Sequence, residues 1–297
     1  MTHIISGREL WQWRNQAVAA SLKANISASE LNWLLKEIAG LDSLSLRLES
    51  FKNQPEIKLS LPFFELNQLW QRRLIEKVPV QYLLGITHWR NFSLTVSEAV
   101  LIPRPETEQI IDIVLAETSG GINFQGNWAD LGTGSGAIAI GLAESLTKST
   151  IHAIDYSPEA LSIAKTNAEK LGFAERIKFY QGSWFEPLAE LQGKLSGIVS
   201  NPPYIPAGMI PDLQPEVALH EPHLALAGGE DGLDCIRHLI NTAPKYLQNG
   251  GIWLIEMMAG QADTVAKLLH SQGNYQRISI IKDLAGVERF ALAYIGD

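Results

Sequence analysis

The chain has 297 residues, 46% hydrophobic and 19% charged. That balance excludes a largely disordered polymer and supplies apolar surface for two domains or one large one. Asp and Glu number 32 against 24 Lys and Arg, a net charge of −8, so DNA or RNA binding through bulk charge is not expected. The single cysteine, Cys235, excludes an internal disulfide. The N-terminus lacks the apolar core of a signal peptide, and no apolar run is long enough for a membrane span. A soluble, cytoplasmic protein is expected, with no membrane partner.

Residues 1–78 read as a small helical domain. Ser6–Glu9 and Ser27–Glu30 have the spacing of capping boxes, in which a hydroxyl and a carboxylate satisfy the unpaired N–H groups of a helix start. Leu31, Leu34, Leu35 and Ile38 then fall on one helical face, and Gly40 stands where a C-terminal cap belongs. Pro62 opens a further helix with Phe63, Leu66, Trp70 and Leu74 on one stripe, and Pro79 stops it. Of Trp11, Trp13, Trp33 and Trp70, most are assigned to core or inter-helix packing in preference to a partner surface. Residues 79–101 form the next segment: Tyr82–Gly85 and Trp89–Val96 read as extended, giving a hairpin-like linker.

From about residue 107 onward, helices and strands alternate. Strands are predicted at 127–131, 150–154, 176–180, 197–200, 251–256, 277–281 and 289–294, and helices at 107–116, 137–146 and 158–171. This alternation predicts an α/β domain with a mostly parallel sheet and helices on both faces. Charge divides with the modules: residues 1–78 hold ten Lys and Arg against eight Asp and Glu, and the remainder 14 against 24.

Gly132, Thr133, Gly134, Ser135 and Gly136 join the first α/β strand to a helix. Glycines there let the backbone turn tightly and approach a ligand closely. The pattern suits either a nicotinamide dinucleotide or S-adenosylmethionine, and also occurs as a plain turn. Asp155, at the end of the second strand, stands where a carboxylate accepts from ribose hydroxyls, although it and Ser157 also precede a helix as caps do. The fourth strand runs into Asn201, Pro202, Pro203 and Tyr204. Two prolines stiffen this loop. The Asn201 side-chain oxygen and the Pro202 carbonyl are two acceptors that can take the two N–H bonds of a planar NH2 group. They would aim its delocalised lone pair and stabilise the charge that develops during methyl transfer. Tyr204 can stack on that group.

These residues resemble a known family. Asn-Pro-Pro-Tyr after a Gly-x-Gly-x-Gly loop is similar to the S-adenosylmethionine-dependent amino-methyltransferases, and most closely to the release-factor glutamine methyltransferases. The resemblance spans nearly the whole chain. It includes Pro79–Gly85, Leu101–Glu108 (Leu-Ile-Pro-Arg-Pro-Glu-Thr-Glu), Asp130–Gly136, Ser200–Ile205, Glu216–Val217, Glu221–Pro222, Ala225–Leu233 and Asp283–Gly286. It implies a helical N-terminal substrate-recognition domain (1–78), a β-hairpin linker (79–101) and a Rossmann-like class I methyltransferase domain (102–297) whose last strand is antiparallel. It further implies methyl transfer from S-adenosylmethionine to the side-chain nitrogen (N5) of the glutamine in the Gly-Gly-Gln motif of peptide chain release factors. Gly132–Gly136 would carry the methionine end of the cofactor, Asp155 the ribose, and Trp184 would lie by the adenine. Asn201 would touch cofactor and substrate, Asn201–Tyr204 would hold the glutamine amide, and Arg104 and Glu106 would help close the site. Ser183 departs from the family pattern, which often has an acidic residue there.

An adenine- or guanine-amino methyltransferase is the alternative, since the same tetrapeptide suits exocyclic NH2 groups; the acidic catalytic half disfavours it. The protein is expected to act as a monomer without nucleic acid. Cys235 reads as buried filler. His220 and His223 lack a further ligand set, so no metal is expected. Residues 207–222 read as a loop over the site.

Overall fold

A computed structural model describes residues 3–118 and 125–296. The chain separates into two compact units, Met1–Gly85 and Ile86–Asp297.

The first unit contains β1 (His3–Ile5), α1 (Gly7–Lys23), α2 (Ala28–Ala39), α3 (Ser43–Leu48), β2 (Ile57–Leu59), α4 (Phe63–Ile75) and α5 (Val80–Leu84). The capping box at α1 closes in both directions: the Glu9 N–H donates to the Ser6 hydroxyl, and the Ser6 N–H to the Glu9 carboxylate, each at 3.2 Å. The expected second box is only half formed. Ser27 accepts from the Ser29 N–H, while Glu30 takes two hydrogen bonds from the buried Arg73 guanidinium, at 2.5 and 3.0 Å. A buried guanidinium needs a carboxylate more than a helix terminus does. Leu31, Leu34, Leu35 and Ile38 face inward with Leu66 and Trp70. Trp11, Trp13 and Trp33 are only partly buried, and their indole N–H groups donate to Glu49, Asn67 and Glu37. Two features depart from expectation. β1 and β2 pair antiparallel, and Tyr82–Leu84, expected to be extended, lies in α5, capped by Gly85 with φ +69°. A short apolar run does not distinguish strand from helix.

The second unit opens with the hairpin of β3 (Ile86–Trp89) and β4 (Phe92–Thr95). The expected linker 79–101 is therefore shared between the units. Trp89, Phe92 and Leu94 of the hairpin are buried in the core of the second unit. Then follow α6 (Gln109–Thr118), β5 (Asn127–Leu131), α7 (Ala137–Ser145), β6 (Thr150–Asp155), α8 (Pro158–Leu171), β7 (Ile177–Gln181), β8 (Leu195–Ser200), α9 (Pro215–His220), α10 (Asp234–Thr242), β9 (Leu247–Glu256), α11 (Ala262–Gln272), β10 (Tyr275–Lys282) and β11 (Glu288–Ile295). Seven strands form one sheet in the order β10-β11-β9-β8-β5-β6-β7. β5 to β9 pair in parallel, and the last strand, β11, inserts antiparallel between β9 and β10. One apolar layer packs on each face. The stretch 207–222, read as a loop, contains a short 3-10 helix and α9.

The β5–β8 pairing carries a specific steric match. Trp128 lies opposite Gly197, and a Cβ at Gly197 would stand 2.2 Å from the indole ring. Only glycine leaves room for that fully buried tryptophan. Among the described residues, no helix is long and apolar enough to cross a membrane.

Candidate active site

At the carboxyl ends of β5, β6 and β8 lies a cavity of about 570 Å³, lined by Gly132, Gly134, Asp155, Tyr156, Ser183, Trp184, Asn201, Pro203 and Cys235, among others. The switch from β5–β6–β7 on one side to β8–β9 on the other puts the crevice where open α/β sheets bind ligands.

One wall is the glycine-rich loop. Gly132 (φ +77°), Gly134 and Gly136 all adopt left-handed conformations. The Trp184 ring closes over Gly132, lying 3.4 Å from where a Cβ there would be. The loop is held from beneath. The buried Asp130 carboxylate accepts from the Thr133 hydroxyl at 2.6 Å and the Ala139 N–H at 3.0 Å, and burial pushes its pKa up to about 7. Asn167 of α8 donates to Ser135 O, and exchanges further hydrogen bonds with the Thr95 backbone. Asp155 accepts from the Gly134 N–H at 2.8 Å and the Ser157 N–H at 2.9 Å, and burial raises its pKa. Ser157, not Asp155, caps α8, accepting from the Ala160 N–H.

The opposite wall follows β8. Asn201 Nδ2 donates to the Thr107 hydroxyl at 3.2 Å, that hydroxyl donates to Glu256 Oε2 at 2.7 Å, and the Tyr204 hydroxyl donates to Glu256 Oε1 at 3.1 Å. Glu256 is fully buried; burial, first of all, pushes its pKa up to about 7. Burial, then the neighbouring Glu256 carboxylate, drives the Tyr204 hydroxyl's pKa far up, so it stays protonated. Neither Asn201 Oδ1 nor Pro202 O accepts a hydrogen bond from the described residues.

The structure therefore brings Gly132, Gly134, Asp155, Trp184, Asn201 and Pro203 around one cavity. Thr133, Ser135 and Pro202 are buried beside it, Gly136 caps α7, and Tyr204 turns its hydroxyl to Glu256. Arg104 pairs with the buried Glu221 at 2.8 Å, tying the Leu101–Glu108 motif to the Glu221–Pro222 turn. Cys235, expected to be buried filler, is partly exposed on the cavity wall. His223 bonds to Ala218 O, and no group of three or more His, Cys, Asp or Glu able to hold a metal occurs among the described residues.

Residues 125–285 match the methyltransferase domain family. The chain is 50% identical to the release factor glutamine methyltransferase of Synechocystis sp., over 97% of each chain. It is 48% identical to that of Thermosynechococcus vestitus, over 95% of this chain and 96% of the relative. The chain belongs to the release factor glutamine methyltransferase family. Among solved structures, the hMettl16 catalytic domain in complex with MAT2A 3′UTR hairpin 6 aligns with a TM-score of 0.55 at 15% identity, covering 81% of this chain and 84% of that one. A methyltransferase from Pyrococcus furiosus aligns with 0.51 at 15%, covering 70% and 91%. These two likenesses concern the fold alone.

In this member of the release factor glutamine methyltransferases, several residues that shape the site carry no distinguishing mark in the sequence. Glu256 and Gln261 are the main ones. Gln261 Nε2 donates to Tyr204 O at 3.1 Å and Gly232 O at 3.2 Å. Ile205 bridges Ala227, and a Cβ on Gly232 would lie 2.3 Å from Tyr204 O. The Ala225–Leu233 motif is thus a backbone brace for Asn201–Tyr204. Its glycines were the available signal.

Proposed function

We propose that this enzyme methylates a release-factor glutamine at the side-chain nitrogen (N5), with S-adenosylmethionine as donor and the glutamine of the Gly-Gly-Gln motif as acceptor. The cavity suits the donor: its volume is in the usual range for small-molecule sites, one wall is glycine backbone, and it is lined by the carboxylate residues Asp155 and Glu159 and by one indole, Trp184. Gly132 to Gly136 would hold the methionine end, Asp155 the ribose hydroxyls, and Trp184 the adenine. When bound, the cofactor supplies a methyl group on a positively charged sulfur, which leaves as a neutral thioether.

The observation that carries the reading is a pair of acceptors, Asn201 Oδ1 and Pro202 O, left unused by the described residues on the proline-stiffened loop at the end of β8. Held by both, the amide NH2 keeps its lone pair free for in-line attack. Positive charge then builds on nitrogen, and both acceptors strengthen in the transition state. The nitrogen forms its bond to carbon and then sheds one proton to water. Because that proton becomes acidic only after the bond forms, no side-chain base is required. The reading includes the division of labour in which residues 1–78 recognise the release factor and 102–297 carry the chemistry. It also includes action as a cytoplasmic monomer without nucleic acid.

The test is incubation with methyl-labelled S-adenosylmethionine and, separately, purified release factor, RNA and DNA. Label is expected in a release-factor peptide containing Gly-Gly-Gln and is lost on Gln→Ala. Label in nucleic acid alone overturns the reading.

A further inference from the structure

The path from Asn201 to Glu256 fixes which atom Asn201 presents. Glu256 comes from the end of β9, Thr107 from the 3-10 turn at 106–108, and Asn201 from the end of β8. An ionised carboxylate only accepts, and a threonine hydroxyl has one proton. With Thr107 Oγ1 at 2.7 Å from Glu256 Oε2, that proton is committed to the carboxylate. The second carboxylate oxygen takes the Tyr204 proton. While Glu256 is ionised, the Thr107 oxygen can face Asn201 only as an acceptor, so Asn201 turns its NH2 to Thr107 at 3.2 Å and its Oδ1 away. A flipped Asn201 would set its Oδ1 against the Thr107 oxygen, two acceptors face to face, and leave that oxygen, on a side chain only 4% exposed, without its donor.

We propose that Thr107 and Glu256 are positioning residues that lock the Asn201 amide in one orientation, so that the site offers an acceptor and selects an NH2-bearing side chain over a carboxylate. The inference rests on the methyl-transfer reading of Asn201. Neither residue is among those lining the cavity. Both act through Asn201, and Glu256 also holds Tyr204.

Three variants and two readouts test it. Thr107→Val keeps the shape of the side chain and removes the hydroxyl, Thr107→Ser restores it, and Glu256→Gln is a second break in the chain of bonds. The first readout is kcat and KM for methylation of release factor. The second is the side-chain NH2 resonance of Asn201 in protein carrying isotope-labelled asparagine, which needs no substrate. Thr107→Val is expected to lower kcat about 10- to 100-fold, the scale of a misplaced reacting group, with the KM for S-adenosylmethionine unchanged. Its Asn201 NH2 protons should exchange faster with solvent. Thr107→Ser is expected to return both to near the parent. Glu256→Gln should reproduce both defects of Thr107→Val, and it serves alone if the valine variant does not fold. An Asn201 NH2 resonance unchanged in the altered proteins overturns the proposal, as does a serine variant as slow as the valine one. If the parent does not methylate release factor, the functional reading fails, and the Asn201 resonance still decides the locking role.

Discussion

The cavity wall supplied by β5 and β6 is built largely of backbone, whereas the wall at the end of β8 is built of side chains bonded in series. On the first, glycines in left-handed conformations and the N–H groups fixed by Asp155 make the surface. On the second, Asn201, Thr107, Glu256 and Tyr204 depend on one another's protons. The two constructions suit two tasks. A ligand that only has to be held is served by a shape that most side-chain changes leave alone. A group that must react along one line is served by a few atoms whose orientation is over-determined.

The largest expected effect tests this contrast directly. Asn201→Ala should lower methyl transfer about 10²–10³-fold, as when one preorganised polar group is removed, while calorimetry finds S-adenosylmethionine binding within a few-fold of the parent. Equal losses in both would break the separation of the walls. Next, Asp155→Ala should weaken cofactor binding about 10–100-fold, the scale of a hydrogen bond to a charged group, with kcat at saturating cofactor within a few-fold. A collapse of kcat at saturation would show that the β6 wall also aligns the reaction.

The third effect is pH dependence. Glu256 faces Thr107, Tyr204, Glu106 and Arg289, and burial raises its pKa from 4.5 to about 7. Below that pH it carries a proton, can donate, and no longer commits the Thr107 proton. The rate per folded enzyme should therefore rise as pH increases through about 7, and Glu256→Gln should be slower with a flatter profile. The sign for stability is opposite. The folded carboxyl keeps its proton where the unfolded one has lost it, so this residue's contribution falls as pH rises from about 4.5 to about 7. Thermal unfolding across that range should show the slope in the parent and a smaller slope in Glu256→Gln. The smallest effect lies far from both walls. Ser6→Ala, which opens the capping box of α1, should cost about 1 kcal/mol in chemical denaturation and leave the rate per folded enzyme unchanged.

What could be read from sequence was set by how local the cause is. α8 begins and ends where expected because Ser157, Pro158 and Gly172 supply its cap, first turn and left-handed stop within the segment itself. β5 was legible for the same reason, as an apolar strand that runs into glycines. The three-residue strands β1 and β2 are too short to show a period, and α5 carries an apolar run that fits either structure. In the site, Asn201 and Gly132 stood out because proline and glycine mark themselves. Glu256 did not. Its partner Thr107 lies 149 residues away, and nothing around it in the chain distinguishes it from any acidic residue ending a strand. Glu30 shows the converse, a local pattern overruled by a distant one, since its capping role yields to Arg73, 43 residues on.

The match of Trp128 to Gly197 also acts as an alignment pin. Sliding β8 by one residue would bring Ser196 or Ile198 under the indole, where glycine alone leaves room, so a mis-set sheet is penalised before any ligand arrives. Four residues beyond Trp128 stands Gly132, and four beyond Gly197 stands Asn201. The pin in the core thus sets the height at which the acceptor meets the glycine loop, and the reaction's geometry is in this sense written in the interior of the sheet, one turn of pairing away from anything that reacts.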